Sequence, residues 1–420
     1  MTPTRSSSRR PPIRLLLFSN APHAGTGYGV QTGLLAKGLQ AAGHEVAILA
    51  YFGLEGAQLM WEGIPVFPRS RHPASQDFMV PLAQQLNAEA VISITDAWVV
   101  ETQRFQGTDI AYVPWFPCDA EPMDSENARG VAGPGPKVTL PVATSEHAAA
   151  MARDRGIVDV RTIPYMVDTS VYCPGDKAAA RQAWGIPESA FVVGMVAMNK
   201  LAAGVDRKRF EEQIAAFARL RAEHDDAILY LHTHPTAPDG LHIPTVLARY
   251  EVPPSSVMFT DGLVLTVGAP APLMAELYRA FDVLTLVSGG EGAGMPLLEA
   301  AACGTPAIWG DWTAMPEYAK AGWAIYRHQA QPQMNAGRVW WQTPSVDDIH
   351  AAMETVYGCP QADLDVIASR ARDGAMNHDP YTVMPLWHKA LEDVQERLAD
   401  LTRVTTVPTP TLLKPKGVAA

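Results

Sequence analysis

The sequence predicts an α/β protein of two domains, each built on a largely parallel sheet. Three observations carry this. Apolar runs such as 13–18, 191–198 and 283–287 are continuous rather than alternating, as in strands buried on both faces. Helical stretches with glycine or proline at their ends follow these runs, so strand and helix alternate along the chain. Finally, 420 residues with 47% apolar content exceed one ordinary core and fit two.

Residues 13–18 form the first expected strand. The segment after it, SNAPHAGTGYG over 19–29, places Gly25, Gly27 and Gly29 ahead of a helical stretch 30–42 that ends at Gly43, and 45–50 resumes as strand. A glycine-rich turn between strand and helix favours an anionic ligand, which marks Gly25, Thr26, Gly27 and Tyr28. Its spacing is not the dinucleotide fingerprint, so NAD is not expected. His44 reads as the residue that leads into the strand rather than as a catalyst.

Strands follow at 90–95 and 110–113. Asp96 and Trp98 occupy the exit of the first, and the exit of the second, PWFPCDAEP over 114–122, joins aromatic residues and carboxylates in one proline-rich loop. Aromatic faces suit sugar rings, and carboxylates suit hydroxyls. A strand over 138–143 leads to Thr144 and Ser145 as N-caps of a helix through Arg153. After residues 161–174 the first domain ends, and 181–185 is helical.

The second domain opens with the strand 191–198. Its exit loop, NKLAAGVDRKR over 199–209, gathers Lys200, Arg207, Lys208 and Arg209 just before an amphipathic helix over 210–222. Such a run is commonly only a solvated face. After the strand 227–232, the pair His232 and His234 lacks a third ligand and does not make a zinc site. A strand over 257–259, a loop over 261–264 and a helix over 273–280 lead to the stretch around which the chain is organised.

That stretch is FDVLTLVSGGEGAGMPLLEAAACGTPAIW, residues 281–309. A buried strand over 283–287 stops at Ser288, Gly289 and Gly290, a loop holds Glu291, Met295 and Pro296 open a helix that Gly304 closes, and 306–309 resumes as strand. In such a βαβ unit the loop lies at the carboxyl edge of the sheet, where ligands bind. Free amides at Ala293, Gly294 and Met295, together with the helix N-terminus, point to a phosphate or phosphosugar. Glu291 and Glu299 can reach one bound molecule and accept from sugar hydroxyls; beside phosphates they would be repelled. Beyond it come a loop over 311–316, a short helix with Glu317, an edge strand 323–326, a segment 338–342 whose two tryptophans read as core packing ahead of shaping an acceptor mouth, and helices over 347–357 and 380–401.

The net charge of −11 gives no basic footprint, so a nucleic-acid partner is disfavoured. Cys118, Cys173, Cys303 and Cys359 lie far apart without metal or disulfide spacing, which fits reduced thiols and a cytoplasmic protein. Residues 1–12 read as a disordered basic leader without a secretory core, 405–420 as a loose tail, and no apolar run reaches membrane-spanning length.

Glu291 and Glu299, with Gly292, Gly294 and Pro296 between them and Ala-Ala-Ala-Cys-Gly-Thr-Pro after them, resemble the donor-site signature of retaining GT-B glycosyltransferases of family 4. Ala293 replaces an aromatic residue of that pattern and Met295 a leucine. Residues 35–39 and 43–46, LAKGL and GHEV, are similar to the family's first helix and second strand, and Val167, Asp168, Tyr172 and Pro174 match its inter-domain segment.

The resemblance implies a GT-B fold, in which two Rossmann-like domains face across a cleft and a C-terminal helix crosses back to the first. The partition would be 13–174 for the acceptor-side domain, 175–375 for the nucleotide-sugar domain and 376–404 for the returning helix. The implied reaction moves a sugar from a UDP- or GDP-sugar to a hydroxyl of a glycan, protein or small molecule, with retention and without cofactor or metal, in a monomer or homodimer. Glu291 would hold the donor sugar and Glu299 the ribose. Gly290, Gly292, Ala293, Gly294 and Met295 would frame the diphosphate, Arg207 and Lys208 would neutralise it, and Asn199, Gly262 and Leu263 would complete the donor site. Many members carry a histidine near the donor sugar, and none occurs here between His72 and His147. Asp119 is the candidate to replace it, Asp96 the second; either could equally cap backbone amides in a turn. Alternatives are a GT-B-type nucleotide-sugar epimerase and a silent sugar-nucleotide-binding or scaffold protein. Glu291→Ala is expected to abolish transfer while largely sparing the fold, because a loop carboxylate contributes little to packing.

Overall fold

The computed structural model describes residues 11–135 and 138–405. The leader expectation falls mainly on residues 1–10 and the tail expectation on 406–420, both outside the described residues. Among the described residues the first sheet contains β1 (Arg14–Asn20), β2 (Glu45–Phe52), β3 (Leu59–Trp61), β4 (Ile64–Phe67), β5 (Ala90–Ile94), β6 (Ala111–Phe116), β7 (Val142–Ala143) and β8 (Arg161–Thr162). They lie in the order β3-β4-β2-β1-β5-β6-β7-β8, parallel except for β3 against β4. The second sheet is parallel throughout: β9 (Phe191–Val196), β10 (Ala227–His232), β11 (Val257–Phe259), β12 (Val283–Leu286), β13 (Ala307–Asp311) and β14 (Gly322–Tyr326), in the order β11-β10-β9-β12-β13-β14. The continuous apolar runs sit in the centres of both sheets because helices cover both faces there. Leu16, Leu17, Phe18, Val283, Leu284 and Leu286 are all fully buried.

The first domain carries α1 (Gly27–Ala41), α2 (Gln76–Gln85), α3 (Ser125–Ala132) and α4 (Glu146–Asp154). The second carries α5 (Lys177–Ala183), α6 (Phe210–Glu223), α7 (Ile243–Arg249), α8 (Gly262–Val267), α9 (Ala271–Ala280), α10 (Met295–Ala302), α11 (Met315–Ala319), α12 (Val346–Tyr357) and α13 (Gln361–Met376). The last helix, α14 (Pro380–Thr405), returns to the first domain. There Trp387 packs edge-on against Trp115 at 5.0 Å, and Asp393 pairs with Arg161 at 2.9 Å. Two Rossmann-like sheets facing a cleft, tied by a returning helix, are the GT-B architecture. No helix among the described residues is long and apolar enough to cross a membrane.

Several local expectations need correction. β6 runs on through Trp115 and Phe116, which are fully buried, so these rings are core and not platforms for a sugar. Trp115 spends its indole N–H on Ile163 O at 2.8 Å. The loop expected at 261–264 is the start of α8, because Asp261 accepts from the Leu263 amide and caps it. Helix α1 begins at Gly27, earlier than expected, since the Thr26 hydroxyl accepts from the Gly29 amide. Helices α2, α3, α7 and α13 are not anticipated from the sequence, nor is the antiparallel hairpin of β15 (Ala330–Asn335) and β16 (Val339–Pro344). That hairpin reaches the first domain: Trp340 and Glu121 exchange backbone hydrogen bonds, and Arg327, just before the hairpin, grips the Glu121 carboxylate at 2.6 and 2.7 Å.

Candidate active site

The N-termini of α1 and α10 face each other across the cleft, because both helices follow central strands of their sheets at the carboxyl edge. The two lips meet: a Cβ on Gly25 would stand 3.1 Å from Gly268 Cα, and one on Gly27 would stand 3.8 Å from Met295 Cγ. Between them lies a cavity of about 550 Å³, walled by Gly25, Thr26 and Gly27 from the first domain and by Lys200, Lys208, His232, Met295, Pro296 and Glu299 from the second. The amides of Ala293, Gly294 and Met295 make no hydrogen bond among the described residues. Gly294, at φ +79°, turns the chain into α10. Partial positive charge at the start of α10 and the Met295 amide therefore converge with Lys208 on this space.

Glu299 enters the cavity from α10, partly buried, with the Tyr278 hydroxyl donating to it at 2.6 Å. Burial pushes its carboxyl up to about 7, against the opposing effect of hydrogen bonds from Tyr278 and Tyr172. Among the described residues no cation pairs with it, so its remaining oxygen lone pairs can accept from a ligand hydroxyl.

Glu291 behaves oppositely. Its backbone is fixed at both ends: the amide donates to Thr313 Oγ1 at 3.0 Å, and the carbonyl accepts from the Ala314 amide. Its carboxylate, buried with 8% of the side chain exposed, meets Lys208 Nζ at 2.5 Å and Arg207 Nη1 at 3.3 Å. Burial alone would raise its pKa, but the charges of Lys208 and Arg207 outweigh that and hold it at about 2. Lys208 is pulled down by burial, with Glu291 working against that fall. Arg207 also donates to Gly290 O at 2.6 Å and pairs with Asp119 at 3.3 Å. Behind Asp119, Asp96 accepts from Tyr28 OH at 2.8 Å, and burial followed by the Asp119 charge raises its pKa.

The structure thus brings Glu291, Arg207, Lys208 and Asp119 into one connected group, with Asp96 and Tyr28 beside it. It also revises their expected parts. Glu291 does not line the cavity that Glu299 enters; it reaches that space only through its ion pair with Lys208, which does. Replacing it by alanine would leave Arg207 and Lys208 without their shared carboxylate, so a larger loss of stability is expected than for a solvated loop residue. Gly290 and Gly292 serve the domain interface: a Cβ on Gly290 would lie 1.9 Å from Asp119 O, and one on Gly292 2.4 Å from Pro117 Cβ. Asn199 also lines the cavity, but its side chain is consumed in hydrogen bonds to His234 O, Leu241 O and the Leu241 amide. Gly262 and Leu263 are exposed, and Val264 and Leu265 from the next turn of α8 line the cavity instead. Arg209 is directed away, donating to Gln342 O at 2.9 Å.

Sequence reasoning missed Tyr278, whose only signal was its place one helix before the central strand. It also missed a tie between domains in which Glu317 caps α4, accepting from the amides of Glu146 and His147 at 2.8 and 2.9 Å. Ser145 caps the same helix with its hydroxyl, while Thr144 donates across the cleft to Gly292 O at 3.0 Å.

Residues 190–339 match the sequence profile of the family "Glycosyl transferases group 1". A D-inositol 3-phosphate glycosyltransferase of Segniliparus rotundus is 31% identical over 158 residues, covering 37% of this chain and 32% of the relative. An N-acetyl-alpha-D-glucosaminyl L-malate synthase of Bacillus anthracis is 27% identical over 164 residues, 39% of each chain. The match thus spans about a third of the length of these relatives. Among solved structures, a sucrose-phosphate synthase from Thermosynechococcus elongatus superposes with a TM-score of 0.70 at 17% identity, over 94% of this chain and 100% of that one. Anabaena HepE, in complex with UDP and glucose, gives 0.68 at 17% identity over 91% and 100%. These structural likenesses concern the fold.

Proposed function

We propose that this chain, which has the GT-B fold and whose residues 190–339 belong to the glycosyl transferases group 1, transfers a glycosyl group from a nucleoside diphosphate sugar to a hydroxyl acceptor with retention at the anomeric carbon. One observation carries the reading: the unpaired N-terminal amides of α10, the ammonium of Lys208 and the carboxyl of Glu299 surround a single cavity that the first domain closes. The domain border falls just after Pro174.

In this reading the diphosphate lies on the Met295 amide, with Lys208 and Lys200 opposite. Glu299 accepts from the ribose hydroxyls, the base lies against Val264 and Leu265, and UDP or GDP is the class of nucleotide. The sugar sits towards Ala293 and the Glu291 group. The bond from the anomeric carbon to the diphosphate oxygen breaks, a bond to the acceptor oxygen forms on the same face, and the acceptor proton passes to the departing diphosphate. Lys208 and Arg207 stabilise the charge that develops there, the task a metal serves elsewhere, so no metal is required. Asp119, paired with Arg207, takes the position beside the sugar that a histidine holds in many relatives by resemblance. Reduced cysteines, all unpaired, support a cytoplasmic setting.

A second reading, a protein that binds the donor but does not turn it over, draws on Lys208 being already committed to Glu291. Incubation with a panel of UDP- and GDP-sugars separates the two. Transfer or slow donor hydrolysis with an axial or equatorial product matching the donor, read by proton NMR, supports the enzyme. Melting shifts with nucleotide but no released sugar support the binder.

A further inference from the structure

The far end of α6 carries side chains for which the transferase reading has no use. Glu223 ends that helix and His224 follows it, while His350 and Glu354 stand one turn apart on the neighbouring α12. His224 Nε2 lies 2.9 and 3.1 Å from the oxygens of Glu354, and His350 Nε2 lies 3.4 Å from Glu354 Oε1 and 3.8 Å from Glu223 Oε1. Ligand atoms of Glu223, His224 and Glu354 fall within 4.8 Å of one another. Around a tetrahedral zinc ion, bonds of about 2.0–2.2 Å put neighbouring ligand atoms roughly 3.3–3.5 Å apart. The His224–Glu354 and His350–Glu354 separations straddle that spacing, while His350 stands beside the trio of Glu223, His224 and Glu354 rather than within it.

A second observation is independent of the spacing. His350 Nε2 is buried and makes no hydrogen bond, although two carboxylates face it. A bound cation satisfies such a nitrogen and both carboxylates at once. The ring of His224 is held in plane by stacking on Tyr357 at 3.7 Å, so one ligand is already oriented. Imidazole nitrogens mixed with carboxylates suit zinc and its neighbours cobalt and nickel better than calcium or magnesium, which prefer oxygen alone.

We propose that Glu223, His224 and Glu354, with the neighbouring His350 turning in as a fourth ligand, bind a divalent transition metal of the zinc class, which clamps α12 onto α6. The site is structural: α6 spans Phe210–Glu223, so this cluster lies about 20 Å along the helix from Lys208. It is distinct from the pair His232 and His234, where His232 is bonded to Thr260 and walls the cleft cavity.

Titration of Zn²⁺ into the full chain, after chelator treatment, tests the proposal by calorimetry and by thermal melting. Saturable binding of one ion per chain is expected, with a rise in Tm, and Co²⁺ should develop the intense visible bands of tetrahedral coordination. His350→Gln and Glu354→Gln should each weaken binding by at least about tenfold, the cost of losing even an outer partner of a metal site. Two separate variants guard against one that fails to fold, and metal-free melting establishes that each is intact. Absence of saturable binding, or binding that both variants leave unchanged, overturns the site and reduces the cluster to histidine–glutamate ion pairs.

Discussion

Replacing Glu291 by glutamine keeps the shape of the side chain and removes its charge, leaving Arg207 and Lys208 without the carboxylate that now lies 3.3 and 2.5 Å from them. A carboxyl held at about 2 rather than its ordinary 4.5 is worth about 3 kcal/mol to the folded state. Breaking a buried ion pair from one side costs roughly 3–5 kcal/mol by a separate route. The lower figure is the better guide, because Lys208 lines the cleft cavity and water can reach it in the variant. For a domain of this size that is a fall in Tm of roughly 6–12 °C near pH 7. The sign follows from the depressed folded pKa: the advantage of the native carboxylate is complete above about pH 4.5 and fades as pH falls towards 2, so the two proteins should converge in acid. Calorimetry at pH 7 and pH 3 measures both. Sugar transfer should be lost, while the melting shift caused by UDP should persist, since Lys208 is then free for the diphosphate. A variant that melts within about 1 °C of the native protein at pH 7 would refute the ion-pair argument.

Glu299→Gln should act in reverse on the free protein. With its folded carboxyl at about 7, ionisation costs stability as pH rises from 4.5 through 7, so the variant should melt higher than the native chain at pH 8, by up to about 3 kcal/mol, and equally at pH 4, while its affinity for UDP falls. Asp119→Asn, at an ion pair with 42% of the aspartate exposed, should change stability by less than about 1 kcal/mol yet reduce transfer; Asp96→Asn measured alongside decides which carboxylate serves the reaction. Gly290→Ala would drive a methyl into Asp119 O, 1.9 Å away, and should lower both Tm and transfer by loosening the contact between domains, by about 1–3 kcal/mol.

The parts of this molecule legible in the sequence are those fixed locally. The unit β12–α10–β13 could be read because its strands are continuous and apolar, Pro296 suits the first turn and Gly304 the end. The gathering of Arg207, Lys208 and Glu291 could be anticipated, because the exit loops of the neighbouring strands β9 and β12 share one edge of a sheet, whereas Asp119 joins them from the other domain. What could not be read depends on contacts distant in sequence. Whether Gly290 answers to a phosphate or to the Asp119 backbone is decided by the other domain. Trp115 looks like a sugar platform until α14 returns to cover it with Trp387. In α8, the start of the β-branched run GLVLTV reads as loop because its residues are weak helix formers, and the Asp261 cap supports the helix it forms. The hairpin β15–β16 had no turn signal strong enough to separate it from a core segment, and its partner at Glu121 lies far away along the chain.

The proposed function of this protein requires a nucleotide sugar to lie between the first-domain glycine turn and the start of α10. A crystal structure of the protein with UDP tests this most directly. The diphosphate should sit within hydrogen-bonding distance of the Met295 amide and of Lys208, and the ribose hydroxyls should donate to Glu299. Nucleotide bound elsewhere, or a diphosphate turned away from α10, would contradict it.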